Sequence, residues 1–223
     1  MQAMDESIGC GVRPRPLSGP RVGPQSRTAA RQLVVFLHGW GSSGDDLIQL
    51  APLFATALPD AEFVSPHGPE RCDQNPAGFQ WFSLARGEQD RTAAAARAVA
   101  DLEVFLADER QRLGLAENRV ALVGFSQGTM MALELGLSRS FAGILGYSGA
   151  LLPTARTTSG ADVLLVHGAA DDVLPVEGMY GAVAELAPLG ARVRYHVRPR
   201  LGHSIDQEGI ALGADFLRRQ FLG

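Results

Sequence analysis

Short apolar runs alternate with helical segments from Leu33 to the end of the chain, and this alternation limits the possible folds more than any other feature. Uninterrupted apolar runs are typical of strands buried on both faces, and helices between such strands favour a parallel sheet. The predicted strands are 33–37, 61–65, 119–123, 141–147, 162–166 and 193–197, and the predicted helices are 45–58 (interrupted by Pro52), 91–112, 126–137, 177–189 and 204–221. We therefore predict an α/β fold with a mostly parallel central sheet and helices on both faces.

The first thirty residues have a different character from the rest of the chain. Residues 13–20 read RPRPLSGP, which cannot form the interior of a helix because proline lacks the N–H that a helix needs. A length of 223 residues suits one large domain. We predict an extended or partly ordered arm over residues 1–30 and a single domain over residues 31–223.

Composition excludes several functions. The net charge of −4 provides no basic field for nucleic acid or an anionic membrane, and all 20 basic residues are arginine, which excludes lysine chemistry. Cys10 and Cys72 have neither the number for a disulfide framework nor the spacing of metal ligands, so we predict no metal and no cofactor. The acidic N-terminus and the lack of a run of about 18 apolar residues predict a cytoplasmic protein without integral membrane association.

The segment 124–128 reads G-F-S-Q-G and follows a predicted strand directly before a predicted helix. In this context the G-x-S-x-G pattern is typical of a nucleophile held on a sharp turn, because the glycines let strand and helix approach closely. The alternative is a glycine-rich turn with an incidental serine. We expect Ser126 to be a catalytic nucleophile.

A serine nucleophile needs a base and an acid that orients it. His203 follows the last predicted strand, and Asp171 and Asp172 follow the strand before it. The chain order of serine, aspartate and histidine is the order found in α/β-hydrolases. The spacing leaves open which aspartate acts, and each of these residues could instead be an ordinary polar loop residue.

Acyl transfer also needs N–H donors for the developing oxyanion. We expect one donor to be the backbone N–H of Gln127, the residue after the nucleophile, and the second to lie in the glycine-rich loop 38–44. In that loop Trp40 could donate its N–H while its ring walls the pocket, or it could be a core tryptophan in a simple turn. His38 and His167, which each precede a glycine at a strand end, are expected to make structural hydrogen bonds.

Four segments together resemble the phospholipase/carboxylesterase family of α/β-hydrolases, which includes bacterial carboxylesterases and acyl-protein thioesterases. They are LHGWG (37–41) with DDL (45–47), GFSQG (124–128), HGAAD (167–171) with Pro175, and GHS (202–204); Trp81-Phe82 also resembles an aromatic pair of the family. The resemblance runs from about Gln32 to the end. It implies Asp171 as the acid, Trp40 and Gln127 as backbone oxyanion donors, and a possible homodimer. A bulky indole at Trp40 departs from the residues that members usually carry there.

The long irregular excursion 66–91 is the segment best able to shape a substrate pocket, because only residues 148–161 separate the two strands between which many α/β-hydrolases insert a lid. We therefore predict no cap domain, and we place Trp81 and Phe82 in the pocket. Leu174 and Met130 are expected nearby, with a position in the apolar core as the alternative for both. The predicted function is hydrolysis of small to medium acyl esters or thioesters through an acyl-enzyme. The alternatives are a lysophospholipase, an acyl-protein thioesterase, or a non-catalytic binding protein.

Overall fold

The central sheet is assembled from the apolar runs of the sequence. The protein is described by a computed structural model over residues 13–154 and 156–222, so Cys10 lies outside the described residues. The strands are β1 Arg21–Val22, β2 Gln32–Leu37, β3 Ala61–Val64, β4 Glu70–Arg71, β5 Phe79–Gln80, β6 Val120–Phe125, β7 Gly143–Tyr147, β8 Asp162–Gly168 and β9 Arg192–Arg198. Seven of these described strands form one sheet in the order β1-β3-β2-β6-β7-β8-β9, and β4 pairs with β5 separately. All neighbours in the large sheet are parallel except β1, which runs antiparallel to β3.

Five of the six helices in the described residues lie between strands, and the last one follows β9. The helices are α1 Gly44–Leu47, α2 Ala51–Ala55, α3 Glu88–Leu113, α4 Gln127–Gly136, α5 Glu177–Leu186 and α6 Gln207–Leu222. The helix predicted over 45–58 is therefore divided, with a 3-10 turn at Ile48–Leu50 between α1 and α2. Pro52 lies in the first turn of α2, where a missing N–H leaves no helical hydrogen bond unmade.

Two apolar cores cover the two faces of the sheet. Leu33, Val35 and Leu37 of β2 pack into a core with α3, α4 and α5, whereas Val34 and Phe36 pack on the opposite face with α2 and α6. The division follows from the alternation of side chains along a strand. The predicted α/β architecture with helices on both faces is confirmed.

The segment before β2 runs along the edge of the sheet and is held there by arginines. Arg21 of β1 lies 3.0 Å from Glu109 of α3, and Arg15 lies 2.7 Å from Asp101 of the same helix. The Asp101 side chain is only 4% exposed, so the Arg15 guanidinium compensates a nearly buried carboxylate.

The parallel strands bring several loops to one edge of the sheet. Strands β2, β6, β8 and β9 all end there, and they are followed by the segments 38–43, Ser126, 169–176 and 199–206. Ligands of such sheets bind beyond these carboxyl ends. Among the described residues, no helix combines the length and the apolar character needed to cross a bilayer.

Candidate active site

Ser126 lies on a strained turn between β6 and α4. Its φ of 54° and ψ of −117° are unusual for a residue with a side chain, and strain of this kind is typical of functional turns. The turn is possible because Gly128 has no side chain, since a Cβ there would overlap the Leu37 carbonyl of β2. The Ser126 hydroxyl has no hydrogen-bond partner among the described residues, and Ser126 lines a cavity. It is therefore available to a substrate.

His203 and Asp171 are in direct contact. His203 Nδ1 lies 2.8 Å from Asp171 Oδ2 and 3.1 Å from Oδ1. A carboxylate only accepts hydrogen bonds, so the imidazole proton is on Nδ1 and Nε2 is left as the acceptor. The His203 ring packs on Phe125 with 4.9 Å between ring centroids, and His203 lines the same cavity as Ser126. The imidazole is thus oriented at the cavity that holds the serine. Asp172 is exposed.

The loop after β8 holds Asp171 as an anion. Burial raises the pKa of the carboxyl, but hydrogen bonds from the Leu174 N–H, from His203 and from the Val173 N–H outweigh burial and keep the pKa below its usual value. The two backbone bonds measure 2.9 and 3.0 Å. On the other side His167 donates from Nε2 to the Leu174 carbonyl at 2.8 Å. The structural hydrogen bond predicted for His167 is therefore confirmed.

Trp40 and Gln127 lie at the same cavity. Neither backbone N–H has a hydrogen-bond partner among the residues that the structure describes, so both remain available as donors. The Trp40 indole is separately satisfied, because its Nε1 donates to Gln80 Oε1 at 2.9 Å. His38, at the start of this loop, accepts from the Gly68 N–H at 2.8 Å and lies 2.8 Å from the Gly39 carbonyl, as its predicted structural role requires.

The cavity has a volume of about 680 Å³ and a largely apolar wall. Besides Ser126, Gln127 and His203, the lining residues are Trp40, Phe82, Leu84, Glu88, Arg91, Thr92, Met130, Leu151, Leu152, Pro153, Val173 and Leu174. Phe82 and Leu174 thus line the cavity, and half-buried Met130 both lines it and packs against the core.

Trp81 does not line the cavity, and its prediction as a pocket residue is wrong. Its side chain is fully buried in the core, where the indole N–H donates to the His38 carbonyl at 2.9 Å. A buried tryptophan needs such a partner, and the strand end next to it supplies one. Among the described residues, no group of three or more histidine, cysteine and acidic side chains could hold a metal ion.

The model of the phospholipase/carboxylesterase family matches residues 21–220 of the chain. The chain belongs to this family. As a family member it is a carboxylic ester hydrolase, and it shares the α/β-hydrolase fold.

Known proteins resemble this hydrolase along most of its length. Esterase YpfH of Escherichia coli is 32% identical over 197 residues, which cover 85% of the chain and 83% of that protein. Acyl-protein thioesterase 1 of Gibberella zeae is 28% identical over 231 residues, 92% of the chain and 98% of that protein. The crystal structure of esterase PE8 superposes with a TM-score of 0.86 at 41% identity and covers 92% of the chain and 99% of that structure.

The sequence did not indicate a role for two glutamine side chains at this site. Gln80 and the side chain of Gln127 are both buried and connect the excursion 66–91 to the loops around Ser126. The sequence shows no pattern that could have indicated them, because the bonds that join them across the site, from Gln80 to Trp40 and from Gln127 to Trp81, span 40 and 46 residues.

Proposed function

We propose that this hydrolase cleaves esters or thioesters of small to medium acyl chains through an acyl-enzyme on Ser126. The Ser126 Oγ attacks the carbonyl carbon while His203 Nε2 takes its proton, and His203 returns the proton to the departing alcohol or thiol. A water molecule then attacks the acyl-enzyme, with His203 again as base, and releases the acid.

Asp171 and the two N–H donors complete the proposed mechanism. Asp171 keeps the His203 proton on Nδ1 and stabilises the imidazolium that forms in each half-reaction. The backbone N–H groups of Trp40 and Gln127 bind the oxygen of the tetrahedral intermediate. The observation that carries the proposal is that Ser126 and His203 line one cavity while His203 Nδ1 contacts Asp171 at 2.8 Å.

The cavity supports an apolar acyl group. Its wall is formed mainly by side chains such as Phe82, Met130 and Leu152, and its volume of about 680 Å³ lies within the usual range for small-molecule sites. Two of its rim residues, Leu84 and Val173, are 42% and 61% exposed, which supports access from solvent. Every proposed catalytic group comes from one chain, so the reaction does not require the homodimer suggested by the family resemblance.

The test is the hydrolysis of nitrophenyl esters of increasing acyl length by wild type, Ser126→Ala and Ser204→Ala. We expect Ser126→Ala to lower kcat by at least about 10³-fold without loss of thermal stability. Ser204→Ala, a change at an exposed serine next to His203, serves as the matched control and should leave kcat unchanged. Wild-type turnover by Ser126→Ala would contradict the mechanism.

The acyl-length profile decides between the proposed substrates. A short or medium optimum supports the esterase proposal, whereas a long-chain optimum would favour a lysophospholipase or an acyl-protein thioesterase. Parallel thioester substrates compare the two leaving groups directly. Turnover of no substrate by folded protein would favour a non-catalytic binding role.

A further inference from the structure

Gln80, at the end of β5, is a buried side chain with every hydrogen-bonding site of its amide in use. Its Oε1 accepts from the Trp40 indole at 2.9 Å and from the Asp73 backbone N–H at 3.2 Å. Its Nε2 donates to Asp73 Oδ1 at 3.1 Å and to Glu70 Oε2 at 3.4 Å. Since both donors face the oxygen and both carboxylates face the nitrogen, only one orientation of the amide satisfies all four partners.

The neighbouring backbone holds the same loop. The Gly41 N–H donates to the Phe79 carbonyl at 2.9 Å, and the Phe79 N–H donates to the Ser42 carbonyl at 2.7 Å. The loop that carries Trp40 is therefore fixed to β5 twice, through its backbone after Trp40 and through the Trp40 ring.

The residues after Gln80 are attached to the turn that carries the nucleophile. The Gln127 side chain accepts from the Trp81 N–H at 2.9 Å and donates to the Phe82 carbonyl at 2.8 Å. The segment 80–82 thus contacts both Trp40 and Gln127.

We propose that Gln80 is a positioning residue that sets the geometry of the oxyanion hole through the Trp40 indole. The inference rests on the proposed function, in which Trp40 and Gln127 supply the two N–H donors. Such donors act only when both lie about 2.7–3.1 Å from the same oxygen. Without the Gln80 oxygen, the Trp40 indole N–H loses its partner, the ring turns to find another one, and the backbone N–H of Trp40 moves with it.

The first test is Gln80→Met, which keeps the length of the side chain and removes all four hydrogen bonds. We expect kcat to fall by about 10- to 100-fold, less than the roughly 10²–10³-fold loss on complete removal of a donor, while KM changes by less than about twofold. Gln89→Met, a change at an exposed position of α3, is the matched control and should leave both constants unchanged.

A second readout separates positioning from a purely structural role. An alkyl boronic acid forms a tetrahedral adduct with the serine and places an oxygen in the oxyanion hole. Its affinity for Gln80→Met should fall in parallel with kcat/KM, whereas a structural role would lower only the thermal stability. Unchanged kcat and unchanged boronic acid affinity in a folded Gln80→Met variant would overturn the inference.

A double-mutant cycle tests the route through the indole, and its Trp40→Phe variant alone covers the case in which Gln80→Met does not fold. Trp40→Phe keeps a ring and the backbone N–H but removes the indole donor, so we expect a similar fall in kcat. The double variant should be no slower than Gln80→Met alone, because both changes break the same contact. Wild-type kcat in Trp40→Phe, or fully additive losses, would contradict this route.

Ser126→Ala in the same assay keeps the two proposals apart. If Ser126→Ala is inactive and Gln80→Met has wild-type kcat, only the positioning role fails. If Ser126→Ala is active, the proposed function fails and the inference falls with it.

Discussion

The two sides of the cavity are held in place by different kinds of interaction. On one side, Asp171 and His203 follow the neighbouring parallel strands β8 and β9, and the backbone positions them: the Ala170 N–H donates to the Leu201 carbonyl at 2.9 Å, which joins their two loops directly. On the other side, the excursion 66–91 holds Trp40 through backbone hydrogen bonds between its loop and Phe79 and through the polar side chain of Gln80.

The two sides also differ in how far apart in the sequence the residues that position them lie. The register of a parallel sheet places the Asp171 side from a pattern that is local in the sequence, since each residue follows its own apolar run. The Trp40 side depends on single side chains such as Gln80, whose contact with Trp40 spans 40 residues, and on charges at the sheet edge, where Arg15 pairs with Glu70 next to Gln80. We therefore expect the largest change in kcat from substitutions on the Asp171 side. On the Trp40 side we expect the free energy of unfolding to change with pH and with the removal of charges.

The largest effect is expected on the Asp171 side. Asp171→Asn should lower kcat by about 10⁴-fold with little loss of stability, because the amide no longer holds the imidazole proton on Nδ1. The matched control is Asp172→Asn, which changes the exposed neighbour and should retain wild-type kcat. Steady-state ester hydrolysis measures kcat of both variants. An equal fall in kcat in the two would show that Asp171 has no special role beside Asp172.

The second effect is a pH dependence at His38, at the start of the loop that carries Trp40. Burial lowers the pKa of His38 from its ordinary 6.5 to about 4. Between pH 6.5 and 4 the His38 side chain is protonated in the unfolded chain but neutral in the folded protein. The free energy of unfolding is therefore highest above pH 6.5 and falls by about 3 kcal/mol as the pH approaches 4. Urea unfolding between pH 7 and 4.5 should show this slope.

Substitutions assign that slope to one histidine. His38→Gln should flatten it, whereas His196→Gln, a change at a histidine whose side chain is 39% exposed, should leave it intact. A wild-type free energy of unfolding that stays constant over this range would contradict the assignment, and so would a slope that survives in His38→Gln.

The smallest of these effects concerns the charges at the sheet edge. Arg15→Met leaves the nearly buried Asp101 without its guanidinium and should lower the free energy of unfolding by about 2 kcal/mol. The control Arg218→Met removes an exposed pair with Asp215 and should cost about 0.5 kcal/mol or less. Equal losses in chemical denaturation would show that the Arg15 contact is no stronger than a surface pair.

The sequence was most informative where structure is local. The apolar runs and the G-x-S-x-G pattern predicted the α/β fold and placed Ser126, His203 and the pair Asp171-Asp172 at one edge of the sheet, because strand ends are local features of the sequence. The choice of Asp171 over Asp172 came from the family resemblance. Met130, for which an apolar core position was the alternative, packs against the core and lines the cavity as well.

The Trp40 side was less predictable because its contacts are distant in the sequence. Trp81 was expected in the pocket from its place in the excursion 66–91, but its indole donates to a carbonyl 43 residues away and lies in the core. β1 was not predicted as a strand, because it has only two residues and lies in a proline-rich segment. Its position is stabilised by pairing with β3 and by the ion pair between Arg21 and Glu109. Neither feature has a periodic signal.

Reaction with a fluorophosphonate shows whether Ser126 is a nucleophile that His203 activates. The serine Oγ forms a bond to phosphorus, fluoride leaves, and mass spectrometry of the digested protein locates the adduct. We expect one adduct, on the peptide that contains Ser126, which is absent in Ser126→Ala and forms much more slowly in His203→Ala. An adduct on another residue, or rapid labelling that does not depend on His203, would contradict this expectation.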